Sequence, residues 1–285
     1  MAIASQVVSP LTVHEAVGLL AEGGPWRPMA GGTDLLVLIN GEFIPPPERV
    51  IDLWRIEELR TISLTDDRLL IGSLVTYTEL RADPLIAELM PVAAEVAATI
   101  GAAQIQNRGT VGGNIGNASP AGDTLPLWLA ANADILVGSA RGQRRVPASE
   151  YFVGYRQTAL AGDELILGVE VPLVPRRQYR FRKVGTRRAQ AISKVVMVVS
   201  WAAEPDGRWS AARVALGSVA PTPVRARSVE VVLDGSLPTS SVADAAVAAL
   251  RTEIQPIDDV RSTAEYRREV AARILHRILR DEGGW

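Results

Sequence analysis

Apolar positions along this chain follow two patterns, helical spacing and strand-like alternation, and glycine or proline stands at most of the changes between them. The capping-box pattern Thr12-Val-His-Glu15 precedes Ala16, Val17, Leu19 and Leu20, which predicts a first helix from about Val13 to Gly23-Gly24. Short strands are predicted at Arg27 to Ala30 and, after the Pro45-Pro-Pro47 connection, at Val50 to Leu53. The βα-like order continues with a strand at Leu69 to Leu74 and a short helix capped by Thr76-Tyr-Thr-Glu79. A longer helix follows Asp83-Pro84 and runs from Leu85 to about Thr99. Then come a helix over Leu125 to Ala131, a strand over Ala133 to Val137 and a strand over Glu164 to Pro172.

Beyond Pro172 to Pro175 the texture changes, and this segment is the expected domain junction. Tyr179 to Val184, Val195 to Ala203 and Trp209 to Val219 read as three strands joined by turns, one of them Glu204-Pro-Asp-Gly207, so an antiparallel sheet is expected. Helices are predicted around Ser228 to Leu233 and Val242 to Leu250, with a last one opened by the capping box Ser262-Thr-Ala-Glu265. In that last helix Val270, Ile274, Leu275 and Ile278 share a stripe. Arg267, Arg268, Arg273, Arg277 and Arg280 lie mostly outside it and read as a solvated face. The expected fold is α+β. Residues 1–175 form the first part, divisible into about 1–56 and 57–175, and residues 176–285 form the second, a three-stranded antiparallel sheet with helices.

Composition narrows the function more by exclusion than by suggestion. A chain of 285 residues that is 47% hydrophobic can bury a sizeable core, as a globular protein does. Its formal charge of −2, from 30 basic and 32 acidic residues without a separate basic run, argues against nucleic acid as a partner. The longest apolar stretches, such as Val195 to Ala203, are about half the ~20 residues a membrane-spanning helix needs. Met1-Ala-Ile-Ala-Ser5 carries no charged leader followed by an apolar segment. The chain has no cysteine, which excludes disulfides, Cys-ligated zinc and iron–sulfur clusters held by this chain alone. The two histidines, His14 and His276, lie far apart on predicted helices, so no metal site is expected. A cytoplasmic location is expected, with peripheral attachment at the inner membrane face as the alternative.

Two glycine-rich stretches hold the candidate chemistry. Thr110-Val-Gly-Gly-Asn-Ile-Gly-Asn-Ala-Ser-Pro-Ala-Gly-Asp123 packs glycine, asparagine and serine between apolar segments, and its length and composition exceed what one turn requires. Backbone without β-carbons can turn its N–H groups onto a ligand pressed close against it, and a phosphate suits such donors. Ala30-Gly-Gly-Thr-Asp34 ends an extended run and opens a segment beginning Asp34-Leu-Leu, so it is a second set of donors, although a turn or helix cap would use the same residues. Two such loops point to two phosphates, hence a pyrophosphate. Neither G-x-x-x-x-G-K-[ST] nor a G-x-G-x-x-G after the first strand is present, so a P-loop and a Rossmann site are not indicated. Neither is a nucleophile or base poised by a partner evident in the chain.

Ala30-Gly-Gly-Thr-Asp34 together with Asn107-Arg-Gly-Thr-Val-Gly-Gly-Asn-Ile-Gly-Asn117 resembles the medium, FAD-binding subunit of the molybdenum hydroxylase family, which includes carbon monoxide dehydrogenase and xanthine dehydrogenase flavoproteins. Ile51-Asp-Leu53, Ile71-Gly-Ser73, Ser119-Pro-Ala-Gly-Asp123, Glu164-Leu-Ile166 with Val171-Pro172, and Phe181-Arg-Lys183 with Arg187-Arg188 fall in the family's order, so the resemblance covers nearly the whole chain. It implies a two-part FAD-binding domain of the vanillyl-alcohol-oxidase-like type, followed by the C-terminal domain of these subunits.

By the same resemblance, Pro28, Met29, Ala30, Gly31, Gly32, Thr33, Asp34 and Leu35 wrap the FAD pyrophosphate from one side, with Thr110, Gly112, Gly113, Asn114 and Gly116 on the other. Asp123 and Ile166 match positions at the cofactor and Lys183 a basic position beside it. Ile100 stands at a family position that is often aromatic. Asp123 as an acceptor belongs near hydroxyls or a ring N–H and away from phosphates, while Lys183 would stabilise negative charge on a reduced flavin. FAD would be bound non-covalently, since there is no cysteine for a thioether and neither histidine lies in a glycine loop. Molybdopterin and [2Fe-2S] clusters would sit on partner subunits, a large and a small one, in a dimer of heterotrimers. This chain would pass electrons from the clusters to an external acceptor. The alternatives are a free-standing FAD-dependent oxidoreductase and a non-catalytic flavin-binding module.

Overall fold

The computed structural model describes residues 4–282. Three short parallel strands open the chain: β1 (Gln6–Val8), β2 (Trp26–Met29) and β3 (Arg49–Asp52), in the order β1-β3-β2. Helix α1 (Val13–Ala21) crosses from β1 to β2. Its N-cap is Thr12, whose side chain accepts from the Glu15 N–H, while the Glu15 carboxylate reaches back to the Leu11 N–H at 2.7 Å. Between β2 and β3 lies the short α2 (Leu35–Asn40).

A second sheet contains β4 (Ile62–Thr65), β5 (Arg68–Gly72), β6 (Asp134–Ser139), β7 (Gly142–Pro147) and β10 (Leu165–Pro172), all antiparallel in the order β4-β5-β10-β6-β7. Its long β5-to-β6 connection carries α3 (Tyr77–Ala82), α4 (Pro84–Leu89), α5 (Pro91–Ala98), α6 (Ala103–Gln106), α7 (Val111–Asn117) and α8 (Leu125–Ala130). The Thr76 to Glu79 capping box forms with both of its bonds. After β7, α9 (Ala148–Tyr151) leads into a hairpin of β8 (Phe152–Gly154) and β9 (Gln157–Thr158).

Two expectations fail in this region. The single helix over Leu85 to Thr99 is two helices, because Pro91 has no N–H and pushes Met90 out of the helical region, to φ −148°, ψ 58°. The glycine-rich stretch from Thr110 is not open backbone throughout. Its first part coils into α7, N-capped by Thr110 and ended by Ala118 in the left-handed region at φ 46°.

The third sheet is antiparallel in the order β11 (Arg177–Val184), β12 (Val195–Ala203), β13 (Trp209–Gly217) and β14 (Val224–Arg225), a fourth strand beyond the three expected. Helices α10 (Arg227–Leu233), α11 (Ser240–Glu253) and α12 (Ala264–Arg277) cover one face. Alternation along β12 feeds two cores. Val195, Met197 and Val199 pack with Val229, Ala246 and Leu275, while Val196 and Val198 join Phe181, Ala215, Ile71, Trp128 and Val169 in the core of the second sheet. The last helix starts one residue later than the Ser262 box predicts, with Thr263 as N-cap, because the Ser262 backbone is held in a turn by Asp259. Arg267 is not on a solvated face. It is buried at 4% exposure and donates to Lys194 O, Ser218 O and Asp259 Oδ1 at 2.6–2.9 Å.

Candidate functional site

The two glycine-rich stretches meet. Between β2 and α2 the chain presses so closely on Arg108 and Gly109 that a β-carbon on Gly31 would overlap the Arg108 carbonyl, and Gly32 follows at φ +74°. Only glycine satisfies both demands without strain. The segment then opens α2 with a row of uncommitted donors: among the described residues, the N–H groups of Gly31, Gly32, Thr33, Asp34 and Leu35 have no protein acceptor. Such a row at a helix start is the geometry that receives a phosphate.

The second stretch works differently from the expectation. Every N–H of the first turn of α7 is already used: Val111 donates to Val75 O at 3.0 Å, Gly112 to Ser73 O at 2.8 Å, Gly113 to Thr110 Oγ1 at 3.0 Å and Asn114 to Thr110 O at 3.1 Å. The first two fasten α7 to the turn after β5, and the last two close its cap on Thr110. The glycines there permit close approach: a β-carbon on Gly112 would lie 2.5 Å from Ser73 Cβ, and one on Gly116 3.3 Å from Ile166 Cδ1. The turn is itself tied down, with Ser73 N bonded to Leu167 O at 2.9 Å and Leu74 N to Leu59 O at 2.8 Å.

Around this junction runs a cleft of about 270 Å³, open to solvent. Of the 17 residues that the sequence points to, 15 line it: Pro28 to Leu35 in full, Ile100, Thr110, Gly112, Gly113, Asn114, Gly116 and Ile166. Asp123 and Lys183 do not line it. They pair with each other, Lys183 Nζ lying 2.6 Å from Asp123 Oδ2 and 2.9 Å from the Thr99 carbonyl, and the Ser193 hydroxyl donates to the other carboxylate oxygen. The pair sits beside the wall, since Thr99 precedes the lining residue Ile100, and it ties β11 to the loop before α8. Burial pushes the Asp123 carboxyl above its ordinary value, against the pull of Lys183 and Ser193.

Several lining residues were not among the candidate site residues. Ser73 and Leu74 come from the turn after β5, Tyr77 from the start of α3, and Leu160, Glu164 and Leu165 from the approach to β10 and its first residue; pairing of β5 with β10 brings these segments together. Burial, with the charges of Asp34 and Asp123, pushes the Tyr77 hydroxyl well above its ordinary value, so it stays protonated. Arg144 grips Glu164 with two bonds of 2.7 Å and holds that carboxyl below its ordinary range. Asn117 lay inside the glycine-rich pattern and was legible there; its amide donates to Asp34 Oδ1 at 2.9 Å.

A flavin dinucleotide suits this donor set. The cleft offers a row of free N–H groups for phosphate, hydroxyls from Thr33 and Thr110, and apolar lining from Ile100, Ile105, Leu165 and Ile166 that suits a planar ring.

Comparison with known proteins agrees with that geometry. Residues 3–174 match the model of the FAD binding domain in molybdopterin dehydrogenase, and residues 180–281 match that of the CO dehydrogenase flavoprotein C-terminal domain. The carbon monoxide dehydrogenase medium chain of Hydrogenophaga pseudoflava is 32% identical over 276 residues, covering 95% of this chain and 94% of that one. The nicotine 6-hydroxylase medium subunit of Paenarthrobacter nicotinovorans is 31% identical over 281 residues, covering 98% of each. Among solved structures, reconstituted CO dehydrogenase from Oligotropha carboxidovorans superposes with a TM-score of 0.93 at 28% identity, over 99% of this chain and 98% of that one.

Proposed function

Because the chain belongs to the family of FAD-binding subunits of molybdopterin dehydrogenases, we propose that it is the flavin-bearing electron-transfer subunit of a molybdenum hydroxylase complex. The observation that supports this most is the gathering of both glycine-rich segments on one cleft, with uncommitted N–H donors at residues 31–35. When bound, FAD supplies the redox chemistry, accepting electrons from reduced carriers and returning them to an external acceptor.

The chain's own residues bind, orient and tune. Gly31 to Leu35 hold the pyrophosphate through fixed dipoles, at no cost in side-chain entropy. Thr110 Oγ1 accepts from Gly113 and keeps its own proton to donate to the ligand. Gly112, Gly113 and Gly116 line the cleft where the cofactor would be held, and Ile100, Leu165 and Ile166 would shield its ring from water. Lys183 supplies positive charge from beside Ile100, held in place by Asp123 and the Thr99 carbonyl. The cofactor is held non-covalently.

The assembly we propose includes an iron–sulfur small subunit and a molybdopterin large subunit, as a dimer of heterotrimers in the cytoplasm. That its relatives are medium chains and medium subunits supports the first part. Among the described residues, no helix is long and apolar enough to cross a membrane. Acid precipitation of the purified protein tests the cofactor. FAD released into the supernatant is expected, and flavin that stays in the pellet, or FMN in place of FAD, refutes the assignment. Gel filtration after co-expression tests the assembly, which fails if this chain elutes apart while the other two associate and it alone reduces an acceptor from a substrate of its own.

A further inference from the structure

Three segments that are distant in sequence are joined across the mouth of the cleft. The Asn117 amide at the end of α7 donates to Asp34 Oδ1 at 2.9 Å, and Arg156 Nη1, from the tip of the β8–β9 hairpin, donates to Asn117 Oδ1 at 2.5 Å. The charged side chains lining the cleft are Arg27, Asp34 and Glu164, and Arg144 already holds Glu164 in a two-bond grip. Asp34 is therefore the carboxylate left without a bidentate cation, and it stands within the row of free N–H donors at residues 31–35.

This arrangement is a problem for an anionic ligand. A phosphate bound on those donors would share their segment with a carboxylate, and like charges brought close repel. Arg156, one amide away, is placed to offset that charge. Burial pushes the Asp34 carboxyl above its ordinary value, and the Arg156 guanidinium and the Asn117 amide pull against that rise.

Nothing in the hairpin itself calls for an arginine. Arg156 has φ +52°, a left-handed conformation in which glycine would be more comfortable. Its neighbours Val153 and Tyr155 are 61% and 63% exposed, so the hairpin tip is not part of a core. Apart from the Tyr155 ring at 6.0 Å, the bonded partner of the guanidinium is Asn117 at the cleft.

We propose that Arg156 is a cofactor-retaining residue: acting through Asn117, it offsets the charge of Asp34, clasps the mouth of the cleft, and slows departure of a dinucleotide bound through its pyrophosphate. The inference rests on the flavin reading above. It adds that retention depends on a cation that does not line the cleft, and on its coupling to one named carboxylate.

The test uses the full chain loaded with FAD, with the dissociation rate read from the rise in free-flavin fluorescence after dilution. Arg156→Gln is expected to release FAD about tenfold faster at low ionic strength, and high salt should narrow that gap. Arg156→Lys should stay within about threefold of the parent, since it keeps the charge. Arg156→Gly should lose FAD as fast as Arg156→Gln while the FAD-free protein melts no lower than the parent, an outcome that a purely structural role would not produce. In an Asp34→Asn background, adding Arg156→Gln should change the rate by less than about twofold, because the charge to be offset is gone. An unchanged release rate in Arg156→Gln overturns the proposal with the flavin reading intact. A full tenfold effect that persists in the Asp34→Asn background overturns the coupling. A parent chain that takes up no FAD removes the flavin reading and this inference together.

Discussion

Replacing Asp123 by alanine isolates the contact that joins the cleft wall to the C-terminal sheet. The substitution leaves the Lys183 ammonium buried with the Thr99 carbonyl as its remaining bonded partner, and deprives the Ser193 hydroxyl of its acceptor. Both charged side chains are nearly enclosed, at 11% and 9% exposure, so solvent cannot replace the lost partner. Breaking a buried pair on one side costs about 3–5 kcal/mol. At about 2–4 °C per kcal/mol for a cooperative unit of about 150–250 residues, the FAD-free protein should melt about 6–20 °C lower. Removing both charges together, as Asp123→Leu with Lys183→Met, leaves no stranded ion and should cost less than about 1 kcal/mol. The cycle is completed by the single variants Asp123→Leu and Lys183→Met, measured by urea unfolding of FAD-free protein at constant m-value. A loss below about 1 kcal/mol for Asp123→Ala, or a double variant as unstable as the two single ones added together, would refute the reasoning.

The remaining predictions concern the cleft. Gly113→Val puts a β-carbon 2.9 Å from Thr110 Oγ1 and breaks the cap of α7, so FAD occupancy should collapse. Gly142→Val, at φ +125° with nothing within 4 Å, should lower melting through strain yet keep full occupancy; equal loss in both variants would remove α7 from the cofactor site. Glu164 titrates below its ordinary value of 4.5 because Arg144 favours its charged form, so the stability it contributes is complete above that value and is lost as pH falls through the lower, folded one. Melting temperatures should accordingly drop on the acid side of 4.5, and Arg144→Met should flatten that drop; a variant with an unchanged acid limb would show that the pair is not responsible.

Where one residue's covalent chemistry decides the matter, the sequence is a reliable guide. Thr76 and Glu79 form their capping box as the spacing requires, and Thr12 caps α1. Pro91 could have been read the same way, since a missing N–H breaks a helix wherever the rest of the chain lies. The cap of α12 was misplaced by one residue because Ser262 and Thr263 are equivalent as caps, and only the turn around Asp259 chooses between them. Arg267 was taken for a solvated charge because helical spacing says which face a residue shares but not what covers that face. Here two carbonyls from the β-sheet region and the Asp259 carboxylate enclose it.

The chain's sequence by itself determined where the two glycine-rich segments lie that meet at the cleft, because positions that must do without a β-carbon are visible as glycine whatever surrounds them. It also determined that this chain alone provides no cysteine ligand for a cluster or zinc. Tertiary structure decided how the two segments divide the work. Among the described residues, the N–H groups at residues 31–35 meet no acceptor although the Arg108 carbonyl packs against Gly31, whereas those of the first turn of α7 are spent on Val75, Ser73 and the Thr110 cap, the first two set by the packing of α7 against the turn after β5. Tertiary structure also paired Lys183 with Asp123 and carried Arg156 to Asn117, contacts spanning 60 and 39 positions that no local pattern encodes. Hydrogen-bond donors look identical in a sequence, and whether one is available to a ligand depends on which acceptor the fold delivers to it first.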